Sequence, residues 1–265
     1  MSDSDGMLTF GGHLDVLRKM LMRILVLASI LACVIFAFKD LTFSILLAPG
    51  EWDFITYRMI ERFIALFSPG FHFEQFNVDL IATDLSSQFM THITTSIYLG
   101  LLCASPYILF ELFRFVSPAL LESEKKYSIQ VAVIIYTLFI LGVLMTYFVL
   151  FPISFRFLGT YSVAERVHST ITLDSYISTF VTLTLLMGVV FQLPVIAFIL
   201  GKMGVVHSSF LINYRKHAII IIGFVSAIIT PPDLMTLILV AVPLYALYEI
   251  SIKVLKHLEK KKSNV

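Results

Sequence analysis

Long apolar runs alternate with short polar stretches along this chain, and the runs divide it into six segments. A helix needs roughly 20 apolar residues to cross ~30 Å of hydrocarbon, so each run is tested against that length. The first extends from about Leu21 to Phe38 behind Arg18, Lys19 and Arg23, and the second from Phe89 to Val116 with Pro106 inside it. The third covers Ser128 to Phe151 and is expected to stop at Pro152. The fourth covers Asp174 to Met203, is interrupted by Gln192 and Pro194, and has Asp174 as its expected N-cap. The last two are short, His217 to Ile229 and Leu234 to Ile252, with Thr230-Pro231-Pro232-Asp233 between them. A hairpin of short spans that thins the bilayer and a re-entrant pair both fit. The pattern predicts one membrane domain over residues 1–265: an all-α polytopic fold with six transmembrane helices, the last two short.

Between the first two spans, Lys39 to Gln88 is mixed in character. Ile55, Met59, Phe63 and Phe67 recur there at helical spacing, opposite Arg58 and Arg62. A short amphipathic helix on or near the bilayer explains this spacing, and so does one packed on neighbouring spans.

Composition sharpens the class. Hydrophobic residues make up 58% of the chain and charged residues 14%, too apolar for a soluble domain of this size. The formal net charge of +1 gives no reason to expect a nucleic-acid partner. Sorted by segment, 14 of the 19 Lys and Arg fall on the side of the N-terminus. The positive-inside rule therefore predicts six spans with both termini in the cytoplasm. Asp3 and Asp5, with no basic residue before position 18, argue against a cleavable signal peptide, and a bacterial inner membrane is the expected location.

Cys33 and Cys103 lie within apolar runs, and the seven histidines are scattered without an HExxH spacing, so neither a disulfide framework nor a metal site is expected. Walker A, GxGxxG and GxSxG are also missing, which predicts no cofactor and no enzyme. The clear polar candidate within a span is Gln192, as a helix-to-helix hydrogen-bonding residue or as the lining of a polar cavity. No inverted repeat stands out to support a small-solute transporter. The stretch Phe115 to Tyr127, FVSPALLESEKKY, crowds Glu122, Glu124, Lys125 and Lys126 between two apolar runs. It reads as a turn that presents acids beside the membrane, or as an ordinary solvated loop.

Several motifs in this order resemble TatC, the multispanning subunit of the twin-arginine protein translocase. They are HLDVLRK at 13–19, IATD at 81–84, FVSPALLESEKK at 115–126, FPISFRFL at 151–158, FQLPV at 191–195, TPPD at 230–233 and VPLYALYEI at 242–250. The resemblance implies a cupped six-helix fold whose cytoplasmic face receives twin-arginine signal peptides of folded cargo. It also implies small single-span partners of the TatA/TatB type, a homo-oligomer within the receptor complex, contact with membrane lipid, and the proton-motive force as driver. Glu124 matches the family's signal-binding glutamate and Phe115 the aromatic near it, with Glu122, Lys126, Leu14, Asp15 and Arg18 around them. Carboxylates suit this role because they bind planar guanidinium groups with two parallel charge-assisted hydrogen bonds. Ala227 and Ile228 correspond to the partner-docking surface, and Pro49 and Asp233 to structural positions on the outer side. Two positions depart from the family. Val16 stands where an acid is usual, its nearest acid being Asp15, about 100° round a helix. Gln192 stands where many members carry a glutamate.

Overall fold

The computed structural model describes residues 10–68, 76, 78–116, 128–162, 164, 170–231 and 233–263. Five helices among them are long and apolar enough to cross a membrane. The first, α1 (Phe10–Ala37), starts well before the apolar run, because Leu, Met, Arg and Lys at 14–23 are all good helix formers. Two short helices follow, α2 (Lys39–Leu47) and α3 (Ile55–Ala65), joined through a 3₁₀ turn at Ala48–Gly50. The second span is α4 (Ser87–Val116), with Pro106 in its interior.

The third span does not stop at Pro152. Helix α5 (Ser128–Met145) passes through a π-helical turn at 146–150 into α6 (Phe151–Thr160). Pro152 sits in the first turn of α6, where a proline ring is tolerated and the widened π-turn relaxes the preceding hydrogen-bond ladder. The fourth span is α7 (Leu173–Val190) and α8 (Leu193–Lys202), broken at Phe191-Gln192 ahead of Pro194. Its N-cap is Thr172 and not Asp174: the Thr172 hydroxyl accepts from the Ser175 N–H, leaving Asp174 in the first turn. After α9 (Ser208–Asn213), α10 (Arg215–Ile229) is short, about 22 Å at 1.5 Å per residue. The last helix, α11 (Leu234–Ser263), has 30 residues, so the expected shortness of the final two helices holds for α10 alone. Beyond Ile252 the chain keeps helix-forming Lys, Leu and Glu and simply leaves the apolar stretch.

Helix α1 packs along α4, α5 along α7, α8 along α11, and α10 along α11. The α1–α4 contact is close enough to need a glycine, since a Cβ at Gly100 would lie 2.7 Å from the Ala32 backbone nitrogen. Gly142 plays the same part between α5 and α7, where its Cβ would meet the Met187 carbonyl oxygen at 2.8 Å. Small residues are favoured at such places because packing, and not solvent exclusion, drives helix association in lipid.

The end of the bundle that holds the Arg23–Glu111 and Ser208–Glu259 contacts is called here the terminal end. At the far end, Leu46, Phe151, Phe155, Tyr176, Ile177 and Phe180 form a buried aromatic cluster with Ile229. Tyrosines fasten it: Tyr176 donates to the Leu46 carbonyl at 2.9 Å, Tyr147 to Ile45 at 2.9 Å, and Tyr57 to Pro152 at 2.7 Å. Burial pushes the Tyr57 hydroxyl well above the usual phenol range, against a smaller opposing pull from Arg156, so it remains a donor. A two-residue parallel bridge, β1 (Leu80–Ile81) with β2 (Ile171–Thr172), ties the two loops of that end together.

Candidate functional site

Three contacts fix the register of α1 against α4. Phe36 stacks on His92 with centroids 4.1 Å apart, Ala32 meets Gly100, and Arg23 pairs with Glu111. The helices run antiparallel, so position 115, one turn beyond Glu111, stands level with Lys19. Glu111 Oε2 accepts from Arg23 Nη2 at 3.1 Å and Oε1 accepts from the Tyr107 hydroxyl at 2.9 Å. The Glu111 side chain is 5% exposed and that of Arg23 50%, so a buried carboxylate is held by a half-solvated guanidinium. Among the described side chains, the ion-pair partner of Glu111 comes from another helix, 88 residues away.

Beside this pair, Asp15, Arg18, Lys19, Met22 and Arg23 line an open hollow of about 500 Å³. The carboxylate of Asp15 lies 3.6 Å from the Lys19 ammonium, one turn on, and both are largely exposed. Leu14 and Val16 are exposed as well. Among the described residues its lining carries three cations and one acid, with Arg23 engaged by Glu111. The α4–α5 connection holds the other acids expected at the site. Glu122, Glu124 and Lys126 lie there, outside the described residues, as does the side chain of Phe115.

A second charged contact repeats the first. Arg215, at the start of α10, donates to Glu249 Oε2 on α11 at 2.8 Å, and Tyr245 donates to Oε1 at 3.1 Å. In both places a tyrosine one turn before the glutamate braces it while an arginine from another helix neutralises it. The signal was present in the sequence as the recurrence of Tyr-x-x-x-Glu in YILFE at 107–111 and YALYE at 245–249, one and two residues after a proline. Only the arginine partners needed the fold.

The remaining predicted residues lie elsewhere. Gln192, 5% exposed at the break between α7 and α8, donates through Nε2 to the Ile135 carbonyl of α5 at 3.1 Å. Ala227 and Ile228 are exposed on α10. Pro49 is buried in the 3₁₀ turn with its carbonyl 3.3 Å from the Tyr57 hydroxyl. Asp233 caps α11, its Oδ1 accepting from the Thr236 N–H at 2.7 Å.

Residues 12–243 match the family model described as Sec-independent protein translocase protein (TatC). The chain belongs to the TatC family. A TatC of a Blattabacterium from Periplaneta americana is 32% identical over 99% of this chain and 100% of its own length. That of Carboxydothermus hydrogenoformans is 30% identical over 97% of this chain and 96% of its own. A crystal structure of a twin-arginine translocase receptor, TatC, superposes with a TM-score of 0.72 at 32% identity, covering 92% of this chain and 98% of that one. TatC proteins form a transport family and are not enzymes, and this member is a multi-pass, all-α inner-membrane protein translocase subunit.

Proposed function

We propose that this chain is the receptor subunit of a twin-arginine translocase. In this reading the terminal end faces the cytoplasm and binds paired-arginine signal peptides there. The subunit assembles with further copies of itself and with small single-span partners, and folded cargo crosses at the expense of the proton-motive force. The observation that carries the reading is the antiparallel register of α1 on α4. It sets position 115, in the last described turn of α4, level with the hollow of Asp15, Arg18 and Lys19, and the 117–127 segment with Glu122 and Glu124 follows it in the sequence. Glu124, with Glu122 in support, supplies the carboxylates that two guanidinium groups require. The exposed Ala227 and Ile228 on a helix too short for an ordinary bilayer suit the docking of single-span partners.

The test is photocrosslinking from positions Phe115 and Leu121 to membrane-presented signal peptides, Arg-Arg against Lys-Lys, in the wild type and in Glu124→Gln. Loss of charge-assisted hydrogen bonds worth about 1.5–3 kcal/mol predicts a roughly ten- to hundred-fold drop in signal affinity. Crosslinks indifferent to both the arginines and Glu124 would remove this groove as the recognition site.

A further inference from the structure

Helix α3 presents three distinct sectors. Thr56, Tyr57, Ile60 and Ile64 point toward the protein, Thr56 donating to the Phe148 carbonyl and Tyr57 to that of Pro152. Arg58, Glu61 and Arg62 occupy a second sector. Between these, Ile55, Met59, Phe63 and Leu66 form a stripe, prolonged by Phe67 against Phe63, and these five side chains are 48–79% exposed. The apolar face anticipated from the sequence is therefore turned away from the rest of the chain.

Two observations say what covers it. The carbonyls that hold α3 belong to Phe148 and Pro152, which lie inside the apolar span Val131–Thr160, at least eight residues short of its end. Helix α3 is thus fastened below the tip of a transmembrane helix. Moreover, the stripe continues an apolar face that an apolar span leaves exposed: Leu141, Leu144 and Phe148 are exposed along one side of that span, and Phe54, immediately before α3, stacks on Phe148 with centroids 5.9 Å apart.

We infer that α3 is an interfacial anchor whose Ile55–Met59–Phe63–Leu66 stripe lies in the acyl-chain region of the far leaflet, with Arg62 at the level of phospholipid phosphates and Arg58 held beside it by Asp53. Apolar side chains flanked by cations at a helix surface are what a bilayer interface takes up, the cationic heads reaching outward while their stems stay in apolar surroundings. Because Tyr57 binds both the Pro152 and Pro49 carbonyls, the anchor also fixes the height of the far-end turn relative to the lipid.

The chain has one tryptophan, Trp52, so Trp52→Phe gives a silent background for reporters. Phe63→Trp, and Met59→Trp as a second reporter, are compared with Ser86→Trp in the exposed loop before α4, each in the full chain reconstituted in phosphatidylcholine–phosphatidylglycerol vesicles. Burial roughly 5–10 Å into the headgroup–acyl boundary predicts that lipids brominated near the headgroup quench the α3 reporters at least about twofold more than the loop control, while aqueous iodide quenches them less. Iodide quenching equal to that of the control would overturn the anchor in favour of a water-facing helix. Protection from both quenchers would overturn it in favour of a protein-covered face, and relief of that protection on dilution into excess lipid would name a second copy as the cover.

Discussion

At the far end of the bundle, rings from α6 and α7 interlock and tyrosine hydroxyls reach the carbonyls of Ile45, Leu46 and Pro152. At the terminal end the helices are joined instead by charged contacts: Arg23 with Glu111, Arg215 with Glu249, and Ser208 with Glu259. The first arrangement buries apolar area and satisfies neutral acceptors. It gains from tight packing and has little use for solvent. The second keeps its arginines half exposed and gains mainly from electrostatics, which water and salt weaken. A frame built this way is fixed where nothing needs to enter, and leaves accessible charge beside an open hollow where a peptide is proposed to bind.

The comparison can be broken most directly at the far end. Phe151 is 1% exposed and stacks edge-on against both Tyr176 and Phe180. Phe151→Ala should cost about 3–5 kcal/mol through the lost contacts and the cavity left behind. Unfolding in SDS mixed micelles, followed by Trp52 fluorescence, measures it; a loss no larger than that from the charged contacts would refute the view that this end carries the stability.

A smaller effect is expected from the Arg23–Glu111 contact. A double-mutant cycle of Arg23→Gln and Glu111→Gln should return a coupling of about 1–2 kcal/mol, below the loss at Phe151 because Arg23 already shares its charge with solvent. The coupling should be read at low and high salt. Insensitivity to salt would mean that the pair is more enclosed than its exposure indicates.

The smallest effect belongs to Asp15 and Lys19. Both side chains are more than half exposed, so Lys19→Ala should change stability by less than about 0.5 kcal/mol in the same unfolding assay. A larger loss would show that this exposed pair is part of the frame and not of an adaptable rim.

Much of the fold was legible in advance for a simple reason. Six apolar runs had to become helices because a chain in hydrocarbon must satisfy its own backbone hydrogen bonds. The break before Pro194 was legible too, since proline cannot continue the helix that precedes it. The same rule misled at Pro152, where the π-turn absorbs the defect and the helix continues to Thr160. At the candidate site, Asp15 and Arg18 of the HLDVLRK motif line the hollow. The pairing of Arg23 with Glu111 did not read, because 88 residues separate the two and nothing local selects one partner over another. For α3 the periodicity of Ile55, Met59 and Phe63 revealed an apolar face without saying what covers it.

The sequence by itself determined the membrane class, the number and order of the apolar segments and the family, since segment length, hydropathy and motif order are all local properties of the chain. The tertiary structure alone decided which helices meet, which charges neutralise each other, and which apolar faces remain uncovered. Hydrocarbon and protein interior are almost equally apolar, so a hydrophobic residue in a span carries no mark of whether a neighbouring helix or a lipid will lie against it.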